Sequence, residues 1–229
     1  MNENFIKQWD DAAECYAKDQ EQSVYADANK RIIKERFKEF NGEIILDLGC
    51  GYGYYTDYFN SIGACAIGTD ASQKMIDIAR KKYPKCEFLC SDITSKLPFE
   101  KESFDIVFCN QVLMDIEDLK NVFGECHRVL KEGGILYYSI IHPAFFNGEW
   151  KNDEKGGKAG KLISSYITPF SSSNHFWGET LHFHRPLSYY LNTASDAGFV
   201  LLHTKEPKIY DGKDKNEDLP LFFFAEYKK

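Results

Sequence analysis

The sequence predicts an α/β chain on a doubly wound, mostly parallel sheet of seven strands, with helices on both faces. Three observations lead there. Short, near-continuously apolar runs alternate with helical patterns between residues 44 and 141, as strands buried on both faces do. The first run passes straight into a glycine-rich stretch, "GCGYG". The last two runs, "FVLL" and "LPLFFFAEYK", have only a loop between them, which suits an antiparallel C-terminal hairpin at one side of the sheet.

The elements follow in order. Residues 1–40 read as helical, with Trp9, Tyr16 and Tyr25 interspersed, and precede the first strand as a cover. "IILDL" (44–48), "CAIGT" (65–69), "CEFLC" (86–90), "FDIVFC" (104–109) and "ILYYSII" (135–141) read as strands. The helix in "SQKMIDIARKKY" starts on Ser72, a side chain suited to an N-cap. In "DLKNVFGECHRVLKEGG", Leu119, Val122, Phe123, Cys126, Val129 and Leu130 recur at helical steps, and Gly133–Gly134 reads as the stop. Residues 142–180 show no clear period and read as a lid-like insertion, long enough that function or disorder is expected. "RPLSYYLNTASDAGF" has Pro186 at a helix start and Gly198 just past its end. The 229 residues are expected to form one domain.

Bulk properties narrow the function. A net charge of −7 has the wrong sign for a sequence-independent grip on nucleic acid. The cluster Lys151, Lys155, Lys158 and Lys161 reads as a solvated loop. The seven cysteines include no C-x-x-C pair, so neither a disulfide framework nor a zinc ribbon is indicated. The N-terminus has no signal-peptide core and no segment is apolar enough to span a bilayer. A cytoplasmic protein without membrane partners is expected; the oligomeric state is not written in the chain.

In open parallel sheets ligands bind beyond the carboxyl ends of the strands. Gly49, Gly51 and Gly53 stand there after the first strand, where glycine allows a tight turn and close approach. The helix that follows would offer free N–H groups to an anion. Asp70 ends the second strand, Asp92 follows the third, and Asn110 and Gln111 follow the fourth. Each alone suits a cap or a turn; their common edge makes them a candidate site.

These stretches resemble the class I S-adenosylmethionine-dependent methyltransferases of the small bacterial type. "ILDLGCGYG" resembles the family's first motif, "GTDAS" its second, "SDITSKLPF" its third and "FDIVFCNQVLMDIED" its fourth. The resemblance implies a Rossmann-like methyltransferase fold and S-adenosylmethionine as cofactor. It implies that Gly49, Cys50 and Gly51 meet the methionine part, with Asp47 orienting its amino group. Asp70 would accept from the ribose hydroxyls. Ser91, Asp92 and Ile93 would meet the adenine, with Ala71 and Met75 flanking it; plain helix core is the other reading of Met75. Asn110 and Gln111 would line the floor near the sulfonium, and Tyr16 would reach in from the N-terminal cover, or simply pack.

Methyl transfer needs alignment and exclusion of water, and a base only where the acceptor is protonated. His142, directly after the fifth strand, is the candidate base; a histidine packed at a strand end is the alternative. His182 and His184 share one face of an extended segment, without a third metal ligand, and read as exposed strand residues. No metal is expected. Trp150, Phe170, Phe176 and Trp177 suit an apolar acceptor pocket or a small core of their own. The leading expectation is methyl transfer to a small-molecule acceptor. A non-catalytic cofactor-binding sensor and a nicotinamide-dependent oxidoreductase remain as alternatives. Against the last stands the Gly-x-Gly-x-Gly spacing, since position 54 is tyrosine.

Overall fold

The computed structural model describes residues 3–208 and 219–229. Two helices, α1 (Glu3–Gln22) and α2 (Val24–Arg36), precede the first strand. Then β1 (Ile44–Leu48), α3 (Tyr54–Ser61), β2 (Cys65–Asp70), α4 (Gln73–Lys82), β3 (Glu87–Cys90), β4 (Phe104–Asn110), α5 (Lys120–Val129) and β5 (Leu130–Ile141) alternate. Two small hairpins follow, β6 (Glu149–Asn152) with β7 (Lys158–Leu162) and β8 (Phe170–Asn174) with β9 (Thr180–His184). After them come α6 (Leu187–Asp196), β10 (Val200–Lys205) and β11 (Phe222–Lys228).

The main sheet has the order β10-β11-β5-β4-β1-β2-β3. β3, β2, β1, β4 and β5 are parallel, and β11 is antiparallel to both β5 and β10. The expected seven-stranded doubly wound sheet with a C-terminal antiparallel pair is therefore present; part of the loop joining that pair lies outside the described residues. The order reverses between β1 and β4, which creates the switch-point crevice.

Alternation sends neighbouring strand residues to opposite layers. Leu46, Leu48, Val107, Leu136 and Tyr138 meet Val122, Phe123 and Cys126 of α5 and Tyr190 and Ala194 of α6. Ile45, Phe108, Tyr137 and Phe224 meet Ile32 and Ile33 of α2 and Phe59 of α3. The central strands β1, β4 and β5 thus read as near-continuously apolar because both their faces are covered.

Two expectations change. The helix before β5 stops at Val129, not at Gly133–Gly134. Leu130 already pairs with Phe104, and the next match is Ile106 with Ile135, so the glycines sit in an irregular stretch of β5. There Gly133 has φ of 77°, which only glycine adopts cheaply. Within 142–180 the chain forms hairpins rather than structureless loop. Their sequences, "EWKN", "KAGKL" and "FSSSN", carry no apolar alternation. The period-2 signal depends on one buried apolar face; β6 to β8 are mostly exposed, and the buried face of β9 is polar, Thr180, His182 and His184. Among the described residues no helix is long and apolar enough to cross a membrane.

Candidate active site

β1 ends in the middle of the sheet, and the chain must turn at once into α3. Gly49 and Gly51 make the turn with φ of 74° and 52°, a region that side-chain-bearing residues rarely enter. At Gly49 space matters too: a Cβ would lie 2.5 Å from Val112 Cγ2. At Gly51 a Cβ would meet only Tyr16, at 3.6 Å, so the backbone is what requires glycine there.

The loop is tied to β2. The Gly49 and Cys50 N–H groups donate to the Thr69 carbonyl at 2.7 and 2.8 Å. The Gly51 N–H donates to Asp70 Oδ2 at 2.9 Å. The Gly49, Cys50 and Gly51 amides are therefore already bonded within the protein. What the loop offers a ligand is a bare surface and a placed carboxylate. The Ser72 N–H donates to the other oxygen, Asp70 Oδ1, at 2.9 Å. Burial holds the Asp70 carboxyl above its ordinary value, and the Ser72 and Gly51 amides pull the other way.

Beyond these strand ends lies a cleft of about 640 Å³, counted with the solvent at its mouth. It brings together Tyr16, Gly49, Gly51, Asp70, Ala71, Met75, Ile93, Asn110 and Gln111, all expected from the sequence. Gln111 has φ of 59°. Its N–H donates to the Ser139 carbonyl and its side-chain amide to Ser139 Oγ, while Ser139 Oγ donates to Asn110 Oδ1. β5 thereby fixes the floor.

Four expected cofactor residues stand back from the cleft. Asp47 is 1% exposed; its Oδ2 accepts from the Thr56 hydroxyl at 2.6 Å. Burial pushes its carboxyl up to about 7 against that hydrogen bond. Cys50 packs with Ile76, Ala79 and Phe88 beneath the loop. Ser91 donates its N–H to the Asp70 carbonyl. Asp92 Oδ1 accepts from the Thr94 N–H and hydroxyl, turning toward its own loop, and only its neighbour Ile93 lines the cleft.

The expected base also stands apart. His142 is 3% exposed; its Nε2 meets Glu206 Oε1 at 2.6 Å and its Nδ1 accepts from the Ala144 N–H. Both ring nitrogens are engaged at the end of β5, outside the cleft lining. His182 and His184 do share a face of β9, but both are buried rather than exposed. Among the described residues no three His, Cys, Asp or Glu side chains gather as a metal site. Of the aromatic residues weighed for an acceptor pocket, Trp150 lies beside Lys158 and Lys161, Phe170 stacks on His184, and Phe176 is 76% exposed. Trp177 alone reaches the site, with ring centroids 4.9 Å from Tyr16 and 6.3 Å from Trp9.

Residues 46–138 match the family model of the methyltransferase domain. That stretch is similar to methyltransferase domains. Over 110 residues it is 33% identical to a malonyl-[acyl-carrier protein] O-methyltransferase of Hamiltonella defensa, covering 46% of this chain and 42% of that protein. Over 114 residues it is 41% identical to a demethylmenaquinone methyltransferase of Chlorobaculum tepidum, covering 48% and 46%. The chain thus spans about half the length of the curated relatives it matches. The crystal structure of an S-adenosylmethionine-dependent methyltransferase from Mesorhizobium loti superposes with a TM-score of 0.79 at 24% identity, over 90% of this chain and 100% of that one.

The sequence reading missed part of the cleft. Phe5, Ile6 and Trp9 line it from α1, and Val112, Asp115 and Ile116 from the turn after β4. A signal existed for both groups. Phe5, Ile6, Trp9, Ala12, Ala13 and Tyr16 recur at three- and four-residue steps, one helical face. Asp115 belongs to the quoted stretch "CNQVLMDIED" but was not singled out.

Proposed function

We propose that this chain transfers the methyl group of S-adenosylmethionine to a small-molecule acceptor bound under α1 and the β8–β9 hairpin. The observation that carries the reading is the cleft itself, where bare glycine backbone, the Asp70 carboxylate and a flat apolar wall converge. The donor set fits the cofactor: Asp70 suits a ribose diol, Ala71, Met75 and Ile93 suit the faces of a purine, and Gly49 and Gly51 leave room for the aminoacyl chain. The cofactor supplies a methyl carbon activated by a positive sulfur. Asn110 and Gln111, locked through Ser139, give a rigid floor against which an acceptor is aligned. Trp9, Tyr16 and Trp177 form an aromatic roof that keeps water out. The names of the curated relatives agree with methyl transfer and differ in acceptor.

Calorimetry with S-adenosylhomocysteine tests the reading. Binding at one site is expected, together with transfer of labelled methyl from S-adenosylmethionine into extracted metabolites. Binding without transfer would favour a sensor. Binding of a nicotinamide dinucleotide in its place would return the chain to the oxidoreductases.

A further inference from the structure

Asp115 ends the short 3-10 turn Leu113–Asp115 that follows β4. It lines the cleft while only 8% exposed, and its Oδ1 has no hydrogen-bond partner among the described residues. A buried acceptor without a donor is costly, so a retained one asks for a ligand. His182 Nε2 lies 3.2 Å from that oxygen, brought in by β9, and is 3.4 Å from Asn174 Nδ2 on the facing strand. With Nε2 unprotonated, that nitrogen accepts from the Asn174 amide, and a proton on Asp115 would complete a hydrogen bond across the 3.2 Å to Oδ1.

We propose that Asp115 is the catalytic residue that takes the proton of the methyl acceptor, with His182 positioning it from behind. The inference rests on the methyl-transfer reading and names its acceptor class, an apolar molecule carrying a hydroxyl or N–H nucleophile. The wall around Asp115 is apolar: Phe5, Ile6, Trp9 and Ile116. In the step, the nucleophile's oxygen or nitrogen forms a bond to the methyl carbon as the carbon–sulfur bond of the sulfonium donor breaks. The sulfur keeps that electron pair. The proton leaves the nucleophile for Asp115, where His182 accepts a hydrogen bond from the resulting carboxylic acid.

The surroundings couple the base to the donor. Burial, and then the charge of Asp70, holds the Asp115 carboxyl above its ordinary value. Burial pushes His182 down to about 4, so the ring stays neutral and able to accept. Tyr16, Tyr190 and Cys109 also feel the charge of Asp115. Arg185, packed on the same turn, spends its guanidinium on the carbonyls of Leu113, Ile116 and Glu117. Burial and the Asp70 charge both favour the protonated form of Asp115. A sulfonium cation in the cleft favours the ionised form, so loading the methyl donor shifts Asp115 toward the base.

Calorimetry in buffers of different ionisation enthalpy reads this directly. S-adenosylmethionine should release more proton than S-adenosylhomocysteine, whose sulfur is neutral. Asp115→Asn should abolish the difference, and His182→Gln should move its pH midpoint. Equal release by the two ligands, or a difference that survives Asp115→Asn, overturns the proposal. Saturation-transfer NMR on the S-adenosylhomocysteine complex tests the acceptor class with phenol and its isostere toluene. Phenol should bind about tenfold tighter or more to the native protein, and Asp115→Leu should erase that preference. No preference, or one the leucine variant keeps, also overturns it. Failure of S-adenosylhomocysteine to bind at all would instead remove the methyl-transfer reading beneath it.

Discussion

Asp70 joins two jobs that pull in the same direction. Its oxygens accept the Gly51 and Ser72 amides, which fixes the glycine loop and aims the carboxylate into the cleft. Asp70→Ala should therefore weaken S-adenosylhomocysteine binding by roughly 1–3 kcal/mol, read by calorimetry on folded protein; unchanged affinity would take Asp70 out of the site. Gly49 is constrained differently. Gly49→Ala adds a Cβ 2.5 Å from Val112 Cγ2 in a left-handed backbone, and should cost about 1–3 kcal/mol of stability in urea unfolding. Gly51→Ala meets no such wall, so its stability loss should be the smaller of the two. Most of the expected site residues line the cleft because they sit at strand ends, where a local motif and the sheet edge coincide. Asp47, Cys50, Ser91 and Asp92 stand back from its lining. A motif says which residues are near a ligand, while the direction of each side chain is set by neighbours such as Thr56 and Thr94.

At the scale of elements, the cover is held by few contacts. Ser72 caps α4 by accepting the Met75 N–H at 3.1 Å and donates to Asp10 of α1 at 2.6 Å; Asp10 also accepts from the Lys74 N–H. Ser72→Ala should cost about 1 kcal/mol of stability from the lost cap. Hydrogen exchange should also quicken along α1, because the same substitution cuts its tether to α4; unchanged exchange there would mean that apolar packing alone holds the cover. The β8–β9 hairpin is bound to α1 by the Leu181 N–H donating to Gln8 Oε1 and by Phe183 against Phe5. The β6–β7 hairpin is mostly exposed. Ligand-induced protection should therefore appear in α1 and 175–184 and be weak across 149–162. Equal protection of both hairpins would make 142–180 one unit. The alternation of β1 to β5 with their helices could be read directly, since the central strands β1, β4 and β5 are largely buried on both faces. The hairpins could not, because β6 to β8 are mostly exposed and the face that β9 buries is polar, Thr180, His182 and His184.

The whole molecule shows a cost concentrated at the centre of its sheet. Asp47 is a carboxyl in the layer between strands and α3, with a folded value of about 7 against an ordinary 3.8. The unfolded chain ionises near the ordinary value while the folded chain keeps the proton. The contribution of Asp47 to stability should thus be greatest at acid pH and fall as pH rises across that window, then level off, a loss of roughly 4 kcal/mol. Asp47→Asn should gain on the native protein over pH 4–7 in urea unfolding; a difference independent of pH would show that Asp47 ionises freely in the fold.

By itself the sequence determined the parallel sheet, its glycine switch point and the carboxylate opposite it. Those depend on residues close in the chain, and on a two-sided burial that composition records. Only the tertiary structure decided what stands around the rest of the cleft. It drew His142 away to Glu206 and set His182 of β9 against Asp115, 67 positions apart in the numbering. It also laid α1 across the cleft mouth. Such pairings join distant segments through packing energy, and no local period or spacing records them.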